Sequence, residues 1–138
     1  MTIRIKTVDY EAIVAHARSG LPNEACGLVA GTVEGDIKTI EKVYFLTNVD
    51  QSPEHFSLDP REQLAAVKDM RGLGITLLGN FHSHPETPAR PSAEDIRLAY
   101  DSSLSYLILS LVGDEPVLKA FQIEDSMAAL ETLELDGL

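Results

Sequence analysis

The stretch Ile75-Thr76-Leu77-Leu78-Gly79-Asn80-Phe81-His82-Ser83-His84-Pro85 decides how this chain is read. The run from Ile75 to Phe81 is short and apolar and follows Gly72 and Gly74, which is the pattern of a buried strand. The strand delivers His82 and His84 at its end. In extended backbone, residues two apart project to the same side, so both imidazoles enter one space. Pro85 ends regular pairing because it has no N–H to donate. Asp95 lies eleven residues beyond His84. Two imidazoles and a carboxylate can hold a zinc ion and leave its fourth position open for water, the arrangement of a hydrolase.

Asp95 has a second reading that stays open at this point. Ser92-Ala93-Glu94-Asp95 has the form of a capping box, with Ser92 as N-cap and Asp95 in the first helical turn. An acidic residue there also suits the helix dipole. The two roles are compatible, since a carboxylate held in a first turn can face a metal.

Outward from this stretch, helices and strands alternate. Val8 to Arg18 carries Ile13, Val14 and Ala17 at helical spacing and ends at Ser19-Gly20. Ala25 to Thr32 reads as a buried strand, Glu34-Gly35-Asp36 as a turn, and Ile37 to Asn48 as the return arm of a hairpin. A polar loop runs from Asn48 to Pro53, and His55 to Leu58 is expected to form a short strand. Asp59-Pro60 starts a second helix, with Asp as N-cap and Pro at the first helical position, stopped by Gly72 and Gly74. Ser92 opens a third helix to about Tyr100. Leu104 to Val112 and Val117 to Ile123 are strands joined by the turn Gly113-Asp114-Glu115-Pro116. The tail from Ser126 to Leu138 fits a helix or a terminal strand. This order predicts an α+β domain with a mixed sheet flanked by helices, rather than a bundle or a sandwich.

The 138 residues make one domain, 1–138, the expectation. The formal net charge of -11 sets the surface against phosphate backbones and anionic lipid, so neither nucleic acid nor membrane is expected as a partner. The lone cysteine, Cys26, has no intramolecular partner, and no cysteine cluster offers a structural zinc site. Cys26 reads as a small buried strand residue. The segment Met1-Thr2-Ile3-Arg4-Ile5-Lys6 has no apolar signal-peptide core, and Tyr106 to Val112 is too short to span a bilayer. A cytoplasmic protein is the expectation. His16 reads as structural or exposed, and His55 as a loop or strand-edge residue.

The whole string His82-Ser83-His84-Pro85, then Ser92-x-x-Asp95 seven residues beyond the proline, resembles the signature of the JAMM (MPN+) metallopeptidases. That family places a distant Glu at the start of its first strand, and Pro22-Asn23-Glu24-Ala25-Cys26-Gly27-Leu28 is similar to the stretch in its compact bacterial and archaeal members. The resemblance runs from about Tyr10 to Phe121. It implies a cytidine-deaminase-like JAB1/MPN fold with a mixed curved sheet. It implies one Zn2+ per chain held by His82, His84 and Asp95. It further implies Glu24 as the general acid/base and Ser92 as a holder of the water or the developing oxyanion.

The family cleaves after the C-terminal glycine of ubiquitin or ubiquitin-like proteins. Its deubiquitinating members carry an insertion corresponding to Asn48–Ser57 here and another after the position of Leu111, where this chain has only a tight turn. The resemblance therefore implies action on the C-terminal tail of a small ubiquitin-like sulfur carrier, by trimming that tail or by releasing a cysteine adduct. The tail would add as a strand beside the Asn48–Leu58 edge. A deubiquitinase-like isopeptidase and a non-catalytic scaffold are the alternatives. A RadC-type relative would have Asn at position 83 and Ser-Gly after Pro85, and a zinc deaminase would need a Pro-Cys-x-x-Cys string that is missing. The oligomeric state, a homodimer included, is left open.

Overall fold

The computed structural model describes residues 1–136. Its elements, in chain order, are β1 (Thr2–Lys6), α1 (Thr7–Ser19), β2 (Cys26–Glu34), β3 (Ile37–Leu46), α2 (Pro60–Leu73), β4 (Thr76–His84), α3 (Ala93–Arg97), β5 (Ser105–Ser110), β6 (Val117–Glu124) and β7 (Met127–Asp136). The α+β content and the mixed sheet agree with the sequence reading. The sheet, however, is closed rather than open, in the order β1-β3-β2-β4-β5-β6-β7 and back to β1.

Closure rests on β1, an element that the sequence reading passed over. Ile3 and Ile5 are buried and alternate with solvent-facing Arg4 and Lys6, the period of a strand with one wet face. β1 pairs in parallel with β3 on one side and with β7 on the other. Both edges of the sheet are thereby consumed. The tail from Ser126 resolves as the strand β7, with Gly137 and Leu138 outside the described residues.

A bulge sets which way the histidines point. Ala30 pairs with Leu77 but Val29 pairs with Gly79, so Leu78 is the extra residue on β4. From there Phe81 faces the barrel interior with Leu78, Leu107, Leu109, Val29 and the α1 residues Ile13 and Ala17. Asn80, His82 and His84 therefore lie on the opposite face, beside Tyr106, Ile108 and Ser110 of β5. α2 covers part of that outer face with Ala66 and Met70 against Leu28, Ala30 and Leu46.

Several boundaries differ from expectation for local reasons. β4 continues through both histidines, because β2 and β5 pair with it on its two sides. β3 stops at Leu46, where the Thr47 N–H and hydroxyl turn to the Glu62 carboxylate (2.7 and 2.9 Å). α2 starts as expected, with the Asp59 side chain accepting from Arg61 N, but it runs through Gly72 and ends only at Gly74 with φ +71°. α3 is a short helix that ends at Arg97, because Leu98 leaves helical geometry. His55 to Leu58 is not a strand, and only an isolated bridge joins Asn48 to Leu58. No described helix is long and apolar enough to cross a membrane.

Gly27 sits in a close strand contact behind the histidine strand. A Cβ there would strike the Tyr44 carbonyl and the Phe81 ring. Gly27→Ala is expected to lower unfolding stability by about 1–3 kcal/mol, read by urea or thermal denaturation. A stability equal to the parent would show that β2 can shift without loss.

Candidate active site

Strand register brings Glu24 to the histidines. Cys26, the first residue of β2, lies opposite His82, and Ala25 bonds to Ser83, so Glu24, just before β2, comes beside His84 on the same cavity. Ser83 locks this pairing from the interior face: its N–H donates to Ala25 O at 2.9 Å and its hydroxyl accepts from Ala25 N at 2.8 Å. Asn48 secures the other side. Its amide donates to Glu24 O (3.0 Å) and His55 O (3.1 Å), and its carbonyl oxygen accepts from Asp50 N (3.1 Å) and Ser57 N (3.2 Å). Glu24 N donates to Ser52 O. The backbone of Glu24 is thus fixed from three directions.

His82, His84 and Asp95 converge. His82 Nε2 lies 3.1 Å from His84 Nε2 and 3.1 Å from Asp95 Oδ2, and His84 Nε2 lies 3.2 Å from the same oxygen. His84 Nδ1 faces Pro88 O at 2.9 Å. That carbonyl can only accept, so Nδ1 carries the proton and Nε2 presents its lone pair. Phe56 stacks on the His82 ring (4.6 Å between centroids, 24° between planes) and limits its rotation.

The geometry of Asp95 is compatible with both readings. Ser92 Oγ accepts from Asp95 N (3.0 Å) and Asp95 Oδ2 accepts from Ser92 N (2.9 Å), a complete capping box. The same Oδ2 faces both histidines. The cap orients the carboxylate toward the imidazoles.

The three donors fit a zinc ion. Bonds of about 2 Å in a tetrahedron put ligand atoms roughly 3.3 Å apart, close to the spacings seen here. Two imidazole nitrogens and one carboxylate oxygen are a donor set that zinc accepts, and these are the metal-competent group among the described residues. The electrostatics agree. Burial pulls the His82 imidazole below its ordinary pKa, despite Asp95. Burial opposes ionisation of Asp95, but hydrogen bonds from His82 and His84 hold it far below the usual carboxylate range. Burial also works against charge on His84, yet Asp95, the Pro88 carbonyl and Glu24 together raise it. The site is built for positive charge beside a fixed anion.

Glu24 is 5% exposed, and its Oε1 is buried with no hydrogen-bond partner. Burial pushes its pKa up to about 8, with His84 pulling down and Asp95, Glu94 and Glu54 adding to the rise. Glu24, His84 and Ser92 border one cavity of about 190 Å3. All five residues singled out from the sequence therefore meet in one place. Sequence reasoning missed Ser83, Asn48 and Phe56. Ser83 stood between the two histidines, in a strand that faces inward at that position, and that was its only signal.

Cys26 and His16 are not part of the His82-His84-Asp95 cluster, while His55 borders the cavity beside His82. Cys26 is fully buried, with its thiol pushed up to about 12 mainly by burial, so it is inert. His16 packs against Phe45 and Phe81. His55 pairs with Asp50 in the loop.

The family model for prokaryotic homologs of the JAB domain matches residues 7–124. The chain belongs to the JAB family. It is similar to a CysO-cysteine peptidase of Mycobacterium tuberculosis, 38% identical over 99 residues that cover 72% of this chain and 66% of the relative. The chain thus matches just under two thirds of that protein's length. It is also similar to a desampylase of Haloferax volcanii, 34% identical over 108 residues that cover 75% of this chain and 76% of the relative. Among solved structures, a Desulfitobacterium hafniense protein determined in solution superposes with a TM-score of 0.91 at 57% identity, covering 100% of this chain and 94% of that one.

The buried carboxylate has a stability consequence. In metal-free protein the Glu24 pKa lies above its unfolded value, so the fold holds a proton that the unfolded chain releases, and stability falls as pH rises from about 4.5 to about 8. Glu24→Gln abolishes that loss. In chelator, the stability of the variant relative to the parent is expected to rise across this window by on the order of 4 kcal/mol, measured by thermal unfolding at several pH values. A constant difference would mean that Glu24 titrates normally.

Proposed function

We propose that this protein is a zinc-dependent JAMM-type peptidase or isopeptidase, its single domain spanning 1–138. It hydrolyses the amide bond after the C-terminal glycine of a small ubiquitin-like sulfur carrier. The observation that carries the reading is the unpartnered, buried Glu24 carboxylate, which shares a cavity with Ser92 and with His84 of the His82-His84-Asp95 cluster. The mycobacterial and haloarchaeal relatives, named for CysO-cysteine cleavage and for desampylation, support the substrate class.

When bound, zinc supplies a Lewis acid that acidifies water and polarises the amide carbonyl. His82, His84 and Asp95 would hold it. Glu24 accepts the proton of the attacking water and returns it to the leaving nitrogen. Its buried Oε1 has no other partner, so it is free to take that proton and give it back. The Ser92 oxygen already accepts from Asp95 N, which aims its own hydrogen elsewhere. That hydrogen donates to the oxyanion as it forms. Phe56 and the Pro88 carbonyl keep the imidazoles from turning.

The loop edge proposed for substrate pairing needs revision. Residues 49–57 fold onto the Asn48 side chain, and Ser57 N is spent on it. The carrier tail instead meets the cavity of about 320 Å3 walled by Phe56, Leu58, Leu98 and Tyr106 beside His82. The acidic composition, with its net charge of -11, supports reading the protein as a cytoplasmic enzyme without nucleic acid or anionic membrane as a partner.

Glu24→Gln is expected to keep zinc and lose at least 100-fold in hydrolysis, on the scale of removing a general base. Metal analysis with an activity assay checks it, and near-parental turnover would remove Glu24 from the mechanism. Asp95→Asn is expected to weaken zinc binding 10-fold or more, read by competition with a chelator. Incubating zinc-loaded protein with folded Gly-Gly carriers and weighing the products identifies the bond cut. No mass change with any carrier would favour a scaffold.

A further inference from the structure

The cavity beside Glu24 has a charge that hydrolysis by itself does not require. It is about 190 Å3, and Glu24, Glu54, Glu86, Thr87, His84 and Ser92 are among its walls. Three carboxylates face it. Glu54 and Glu86 stand exposed at its rim, while Glu24 is 5% exposed with a buried, unpartnered oxygen. No lysine or arginine lines it, and His84, as a metal ligand, is neutral. The larger cavity on the His82 side also has carboxylates, Glu94 and Asp95, but it adds the large apolar walls Phe56, Leu58, Leu98 and Tyr106 that the smaller one lacks, and Glu24 does not reach it.

A bond cut at the triad therefore has unlike surroundings on its two sides. Hydrolysis adds water across the C–N bond. The hydroxyl goes to the glycine carbonyl carbon, the nitrogen takes the proton, and the products are a glycine carboxylate and an amine. In the proposed mechanism the proton reaches nitrogen from Glu24. The nitrogen and whatever it carries then enter the cavity that Glu24 borders, and the carrier tail takes the larger cavity with the aromatic and aliphatic walls.

We infer that the acidic cavity selects the leaving group by charge: Glu54 and Glu86 favour an amine on an uncharged arm, such as a protein lysine side chain, over an amino acid that bears a free α-carboxylate. The inference rests on the hydrolytic reading above. In a carrier–cysteine adduct only the α-carbon separates the amide nitrogen from the carboxylate, so that anion must sit among the three glutamates. In an isopeptide, lysine methylenes follow the nitrogen and bring no charge into the cavity. Glu54 and Glu86 are exposed and screened, so their effect is a matter of several-fold rather than orders of magnitude.

The test uses one folded ubiquitin-like sulfur carrier ending in Gly-Gly, joined at its terminal glycine to cysteine, to cysteinamide, or to the side-chain amine of a lysine-containing peptide. Cysteine and cysteinamide share the thiol and differ only in the carboxylate. With zinc-loaded protein at low salt, kcat/KM is expected to be about 3- to 10-fold higher for cysteinamide than for cysteine, with the lysine adduct tracking cysteinamide. The gap is expected to narrow at high salt and to close in E54Q/E86Q. Equal or faster cleavage of the cysteine adduct overturns the inference while leaving the hydrolase reading intact. So does a gap unchanged in E54Q/E86Q. No cleavage of any of the three adducts overturns the hydrolase reading and the inference with it. The first comparison needs no variant, so it does not depend on how E54Q/E86Q folds.

Discussion

The pairing of β2 with β4 at its active-site end is the constraint on which the rest depends. The two hydrogen bonds between Ser83 and Ala25 fix the phase of one strand against the other. A slip of a single residue would turn every side chain to the other face. Glu24 would then point into the barrel beside Phe81, and the histidines would meet apolar side chains. Because the phase is fixed from the buried side, the outer face can be given over to polar groups that would otherwise destabilise the pairing.

The barrel contributes rigidity to that pairing. β1 closes the sheet between β3 and β7, and the interior residues Leu78, Phe81, Leu107 and Leu109 back the strand that carries the histidines. A metal site needs ligand atoms placed to within a few tenths of an ångström, and a strand paired on both sides moves less than a loop. The third donor of the proposed site, Asp95, comes from a short helix, which is the weaker support. Its capping box compensates: the hydrogen bonds that start the helix are the ones that aim Asp95.

The site pairs two opposed electrostatic environments a short distance apart. Asp95 is held as an anion by two imidazoles, whereas Glu24 is pushed toward its neutral form by burial and by other carboxylates. Two carboxylates with pKa values driven apart can divide the labour of ligand and proton carrier. Glu54 and Glu86 extend that environment outward along the cavity that Glu24 borders.

Much of this was legible in the sequence, and the reason is local physics. The run Ile75–Phe81 with His82-Ser83-His84-Pro85 encodes a strand that ends in two co-facing imidazoles, and Ser92-x-x-Asp95 encodes a capped turn that holds a carboxylate; both signals span only a few residues. The barrel was not legible, since β1 is five residues long with charges at alternate positions, and its two parallel partners are remote in the chain. Nor was the role of Ser83 or Asn48, because a serine or an asparagine acquires such a role only from the strand or loop brought beside it. The sequence by itself determined the chemistry of the donors and the local geometry of each piece. Only the tertiary structure decided that Glu24 comes beside His84, because that contact depends on strand register, a bulge at Leu78 and closure of the sheet. Each of these is a long-range choice made by packing rather than by any residue's own preference.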